Sequence, residues 1–73
     1  MVFEKIREII CTTFEIPEEE ITMDITLEEA DIDSIDAVEL AMNVEKEFGI
    51  EIPDEALEKM KSVADLVRFV ENC

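Results

Sequence analysis

Ser34-Ile35-Asp36-Ala37-Val38-Glu39-Leu40-Ala41-Met42-Asn43-Val44-Glu45-Lys46-Glu47-Phe48 holds no glycine or proline, and its apolar residues recur at helical spacing. Residues 34–48 therefore read as one helix of about four turns. Placed at about 100° per residue, Ala37, Leu40, Ala41, Val44 and Phe48 share one face, which is the side expected to meet a core. Ile35 and Met42, with Val38 at the margin, fall well round from that face, beside Glu39, Glu45 and Lys46. A small bundle cannot bury both stripes. An exposed apolar pair rimmed by carboxylates reads as a docking surface for a partner with its own apolar patch and a basic rim. The plainer reading is a solvated helix face, which is what most charge-rich faces are; Ile35 and Met42 weigh toward docking.

Upstream, Phe3, Ile6, Ile10 and Phe14 keep helical spacing, with Val2, Ile9 and Thr13 widening the stripe and Glu4, Arg7, Glu8 and Thr12 outside it. An amphipathic helix over 2–14 follows. Pro17 breaks the pattern before Glu18, Glu19 and Glu20, so at most one helical turn is expected there. What remains is a connection of about nineteen residues, 15–33, long for so small a chain. Ile21, Ile25, Leu27 and Ile32 give it apolar anchors, so it is expected to pack against the bundle, and Thr26 to Glu29 has the spacing of a single capped turn.

Downstream, Gly49 can take the left-handed conformation that ends a helix near Phe48. Ile50 to Pro53 should be extended and Asp54 to Met60 a short helix. Ser62, with Asp65 three residues on, should open a last helix whose buried stripe is Val63, Leu66, Val67 and Val70. With no strand alternation and no internal repeat, the fold expected is all-α: a small four-helix bundle, three main helices plus one short helix, with a long loop between helices 1 and 2.

The 73 residues suffice for a single domain, 1–73, and leave little room for a deep catalytic cleft. With 6 basic and 21 acidic residues the net charge is −15, which opposes approach to nucleic acid or anionic lipid and favours basic protein surfaces. No apolar run exceeds three residues, Leu40-Ala41-Met42 being one, so neither a signal peptide nor a membrane span is expected, and the chain reads as a soluble, cytoplasmic monomer. Cys11 and Cys73, without a CxxC or any histidine, read as free thiols, and the lack of histidine removes the usual general base. A calcium loop fails by register: counted from Asp31, position 6 is Asp36 and position 12 is Met42; counted from Asp24 they are Glu29 and Ile35. No metal ligand set is expected.

Asp31-Ile32-Asp33-Ser34-Ile35-Asp36 stands where the long connection enters the second helix. If Asp33 is the cap, Ser34 is the first helical residue, with its hydroxyl free at the positive end of the helix dipole, where a phosphate is favoured. On position alone, Ser34 acting as the cap itself is the commoner arrangement.

Asp33-Ser34-Ile35-Asp36, followed by Glu47-Phe48-Gly49-Ile50-Glu51-Ile52-Pro53-Asp54, closely resembles the acyl carrier proteins, whose usual wording is Asp-Ser-Leu-Asp and then Glu-Phe-x-Ile-x-Ile-Pro-Asp. The resemblance covers nearly the whole chain. It implies that Ser34 receives 4′-phosphopantetheine from a phosphopantetheinyl transferase. The arm's thiol would hold acyl groups as thioesters, and basic-surfaced partner enzymes would do all the chemistry. It further implies a docking set of Asp33, Ile35, Asp36, Glu39, Met42 and Glu45, an acyl pocket at Val44, Ile52, Leu57 and Met60, and antiparallel first and last helices that keep Cys11 and Cys73 apart. Fatty-acid biosynthesis is the pathway first expected, with an aminoacyl, polyketide or other specialised route as the alternative and an acidic non-carrier binding protein as a remote one.

The chain departs from the family's usual wording at several positions. Leu-Gly-Ala-Asp-Ser-Leu becomes Ala30-Asp31-Ile32-Asp33-Ser34-Ile35, without the glycine, and the loop is one residue shorter than usual. Ile35 replaces leucine with a stiffer side chain. Lys46 stands where an acidic residue is common, and Leu57 is bulkier than the residue often found there. These changes bear on partner and pathway more than on the carrier role.

Overall fold

The computed structural model describes Met1–Cys73. Its helices are α1 (Val2–Phe14), α2 (Ser34–Phe48), α3 (Asp54–Lys59) and α4 (Val63–Glu71), with a single 3-10 turn at Glu18–Glu20. The all-α bundle read from the sequence is the fold observed. A core of 14 buried residues joins three of the helices to the connections: Ile6 and Ile10 of α1, Leu40, Ala41 and Val44 of α2, and Val63, Leu66, Val67 and Val70 of α4 meet Ile21, Leu27 and Ile32 of the long connection, with Ile52 and Met60 from either side of α3. Ala37 and Phe48, expected in the core, are half-buried against it. No helix is long and apolar enough to cross a membrane.

The α3 helix stops one residue short of the expected Met60. Met60 is extended (φ −88°, ψ 111°) and turns its side chain into the core, 8% exposed. At the far end of α2, Gly49 takes φ 66° and donates its N–H to the Glu45 carbonyl, the left-handed stop its position predicts. Both thiols are free. Burial pushes the half-buried Cys11 thiol above its usual value, aided by the Glu18 carboxylate and opposed by Arg7.

The long connection is fixed by more than its apolar anchors. Helix α4 opens with donors that need acceptors outside the helix. Val63 donates to the Ile25 carbonyl and Ala64 to the Met23 carbonyl, both at 3.0 Å, while Leu27 donates to the Lys61 carbonyl at 2.9 Å. Thr26 and Ser62 thus form an isolated antiparallel bridge, a pairing without a strand. The Ser62 hydroxyl accepts from the Asp65 N–H at 3.2 Å, and the Asp65 carboxylate accepts in return from Ser62 at 3.1 Å and from Lys61 at 2.9 Å. The Lys61 and then the Ser62 N–H groups hold the Asp65 carboxyl below its ordinary pKa.

A second local device delivers the chain into α2. Thr26 and Glu29 cap each other, Thr26 N–H to Glu29 Oε1 and Glu29 N–H to Thr26 Oγ1, each at 3.0 Å. The turn they open is closed by Ile32 donating to the Leu27 carbonyl at 2.8 Å, across Asp31 at φ 61°. This is the left-handed closure that glycine usually serves, and Asp31 occupies the place of the glycine missing from the sequence pattern. The turn closes with Asp31 in that conformation, and the cost is a side chain in left-handed space, about 1–2 kcal/mol for an L-residue and less for Asp.

Two outcomes are expected. Asp31→Gly raises stability by about 0.5–1 kcal/mol in urea denaturation, after allowing for the freer unfolded glycine; a loss of stability would contradict the strain assigned to Asp31. Raising salt from about 10 mM to about 150 mM, which shortens the screening length from about 30 to about 8 Å, raises the thermal midpoint. A midpoint indifferent to salt would mean that repulsion within the −15 chain does not load the fold.

Candidate functional site

The site is built around the head of α2. Asp33 adopts an extended conformation (φ −82°, ψ −175°) and its Oδ1 accepts from the Asp36 N–H at 2.8 Å, so Asp33, not Ser34, is the cap. Ser34 is thereby the first residue of the helix and is exposed. The Ala37 N–H is taken by the Asp33 carbonyl, and the N–H groups of Ser34 and Ile35 have no partner within the chain. They leave the electropositive end of α2 open beside the Ser34 hydroxyl.

A groove of about 690 Å³ lies beside it, bounded by the long connection, the first half of α2, α3 and the segment after α3. Ser34 and Asp33 line it together with Leu27, Ile32, Ala37, Val38, Leu57 and Met60. Of the four acyl-pocket positions expected from the sequence, Leu57 and Met60 border this groove. Val44, with no exposure, and Ile52, 7% exposed, are core residues that do not line it. Leu27, Ile32, Ala37 and Val38 are the wall residues that sequence reasoning missed: the first two were read only as anchors of the loop, and the groove exists only because the loop folds back over α2.

The expected second stripe of α2 is on the surface. Ile35 is 79% exposed, Met42 51% and Val38 46%, with Asp33 and Glu39 also exposed and Asp36 half-buried. Glu45 differs from the others. Its Oε2 accepts from the Ile52 N–H at 2.6 Å, which ties the extended segment after Gly49 back onto α2. No group of three or more metal-ligating side chains comes together.

Comparison with known proteins fits this geometry. A family model described as a phosphopantetheine attachment site matches residues 4–70. That match places the chain among carriers built around a covalent phosphopantetheine arm. The chain is 43% identical over 70 residues to an acyl carrier protein of Petrotoga mobilis, covering 94% of this chain and 82% of that relative. It is 44% identical over 71 residues to one of Lactococcus lactis subsp. cremoris, covering 97% and 94%. An acyl carrier protein of Clostridium acetobutylicum is 45% identical over 71 residues, covering 96% and 92%. The chain belongs to the acyl carrier protein family, whose members are carriers rather than catalysts and whose prosthetic group is 4′-phosphopantetheine.

The residues present suit that group. The Ser34 hydroxyl is exposed, the adjacent N–H groups are free for a phosphodiester, and an open groove starts at the same serine.

Glu45 and Glu39 separate structural from surface carboxylates. Glu45→Ala leaves the Ile52 N–H unpaired and is expected to cost about 1–3 kcal/mol. Glu39→Ala, at an exposed carboxylate with no intramolecular partner, should stay within about 0.5 kcal/mol of the parent. Chemical denaturation of the two variants reads the difference, and equal costs would deny Glu45 its tethering role.

Proposed function

We propose that this chain carries acyl intermediates as thioesters on 4′-phosphopantetheine joined to Ser34, in fatty-acid biosynthesis. The supporting observation is the exposed serine at the open head of α2, capped from behind by Asp33 and bordering a groove that six apolar side chains line together with Glu28, Asp54, Glu58 and Lys61. When bound, the arm supplies a terminal thiol on which an acyl group stays activated for transfer. The chain's own residues anchor and present it. Asp33 occupies the Asp36 N–H and so leaves the Ser34 hydroxyl without a capping duty. The two free N–H groups of the first turn offset the repulsion that Asp31, Asp33 and Asp36 exert on a phosphodiester.

In this reading the chain is a single carrier unit over 1–73, is not itself an enzyme, and works as a cytoplasmic monomer. Asp33, Ile35, Asp36, Glu39 and Met42 form the face that meets the phosphopantetheinyl transferase and basic-surfaced acyl-processing enzymes. Glu45 adds its charge at the edge while holding Ile52. Leu57 and Met60, with the groove walls from the long connection, receive part of the acyl chain, while Val44 and Ile52, which do not line the groove, serve the core. A specialised acyl route remains the second reading, favoured by Ile35 and Lys46 on the exposed stripe.

Incubating the purified chain with coenzyme A and a promiscuous phosphopantetheinyl transferase should add one phosphopantetheinyl mass. The gain should vanish in Ser34→Ala while the helical circular dichroism persists. An unchanged mass for the parent chain, or a gain that survives Ser34→Ala, would overturn the assignment.

A further inference from the structure

The exposed stripe of α2 changes sign along its length. Ile35, Glu39, Met42 and Lys46 follow one another at spacings of four, three and four, which keeps all of them within about 40° of a single line down the helix. Asp33, Asp36 and Glu39 make the Ser34 end acidic, and Lys46, between Glu45 and Glu47 in sequence, sets one cation on the same line at the other end, about 16 Å from Ile35 at helical rise.

Lys46 is not occupied by the chain's own abundant carboxylates. Its neighbours three and four residues away are Met42, Asn43, Gly49 and Ile50, none of them acidic. The two adjacent acids point elsewhere: Glu45 accepts from the Ile52 N–H, and Glu47 pairs with Lys5 of α1 at 3.8 Å. Lys46 is exposed and makes no ion pair, a state it shares with Lys59 and Lys61, but it alone of the three lies on α2 in line with the apolar stripe. A cation at the last turn suits any helix dipole. That preference does not require it to lie in line with the only exposed apolar stripe of its helix.

We infer that Lys46 is a specificity-determining contact, and that the enzymes docking on α2 place an acidic side chain opposite it, beyond an apolar socket for Ile35 and Met42 and a basic rim for Asp36 and Glu39. The two-signed stripe fixes the direction in which α2 lies on its partner and so brings Ser34 to the partner's reactive end. A uniformly basic surface meets one end of this stripe with like charge and is disfavoured. The inference rests on the docking role proposed for this face.

The test uses the apo chain with the phosphopantetheinyl transferase of the same cell, and the pantetheinylated chain with that cell's condensing enzyme. A carbodiimide, which joins amines to carboxylates in contact, is followed by peptide mass mapping. The expected result with at least one enzyme is a cross-link from Lys46 to a partner carboxylate, together with cross-links from Asp36 or Glu39 to partner amines. Lys46→Glu is expected to slow association with that enzyme about fivefold and to leave the thermal midpoint of the free carrier within a few degrees. Cross-links through Asp36 or Glu39 alone, or a Lys46 cross-link without slower association in Lys46→Glu, would overturn the role of Lys46 and leave docking on α2 standing. Cross-links from neither end of the stripe would overturn the docking face itself.

Discussion

The peptide N–H groups at the head of α4 hold the rest of the molecule in register. Val63 and Ala64 are donors that α4 cannot satisfy, and the carbonyls of Ile25 and Met23 accept from them. Each such bond contributes only about 0.5–1.5 kcal/mol net, but leaving a donor buried and unpaired costs more. The long connection is therefore not free to drift over the bundle. Its three deepest side chains, Ile21, Leu27 and Ile32, enter the core at fixed points, and the turn from Thr26 to Ile32 hands the chain to Asp33 in the orientation that caps α2. The exposure of Ser34 is the last step of that sequence. Neither α2 nor its dipole alone would decide whether the hydroxyl faces water or closes back on the backbone.

Much of this was readable in the residues. Angle counting on residues 34–48 separated Leu40, Ala41 and Val44 from Ile35, Val38 and Met42, and burial divides the same residues the same way. That success has a simple cause: helical periodicity is local, and α2 is long enough to show it twice. The features missed depend on contacts made outside a single helix. Nothing in Ile25 or Met23 announces that their carbonyls meet α4. Glu45 has the appearance of another rim acid until the chain turns at Gly49 and returns the Ile52 N–H to it. Met60 continues the helical spacing of Leu57, yet the core draws it out of the helix. Asp31 lay between these cases. Its place in the glycine position was visible, and only the observed φ of 61° showed that the backbone kept the turn and accepted the side chain.

The charge distribution shows how the few cations are used. Lys5 links α1 to α2 through Glu47, Arg7 lies over the Phe3 ring at 5.3 Å and near Glu18 at 3.9 Å, and Arg68 meets Asp65 at 3.3 Å. These pairs are exposed or half-exposed, and each is worth little on its own. Placement matters more than strength for Lys5 and Arg7, which relieve repulsion where two segments of an acidic chain lie together, whereas Arg68 pairs within α4. Lys46, Lys59 and Lys61 join no such contact; what sets Lys46 apart is its place on α2 in line with Ile35 and Met42.

A carrier that serves several enzymes must leave each of them quickly, and the surface of α2 has the physical character for that. Two or three apolar side chains bury too little area to hold a complex for long, and charges at a solvated rim act mainly on the rate of encounter. In the docking proposed for this face, speed of arrival and ease of departure would be set by different residues: the acids and Lys46 would steer, while Ile35 and Met42 would give the brief grip. The groove makes the complementary division. Its walls come from the connection, the first half of α2, α3 and Met60, and Leu27, Ile32 and Met60 also belong to the core, so in the proposed role cargo beside Ser34 would rest on the outer edge of that core.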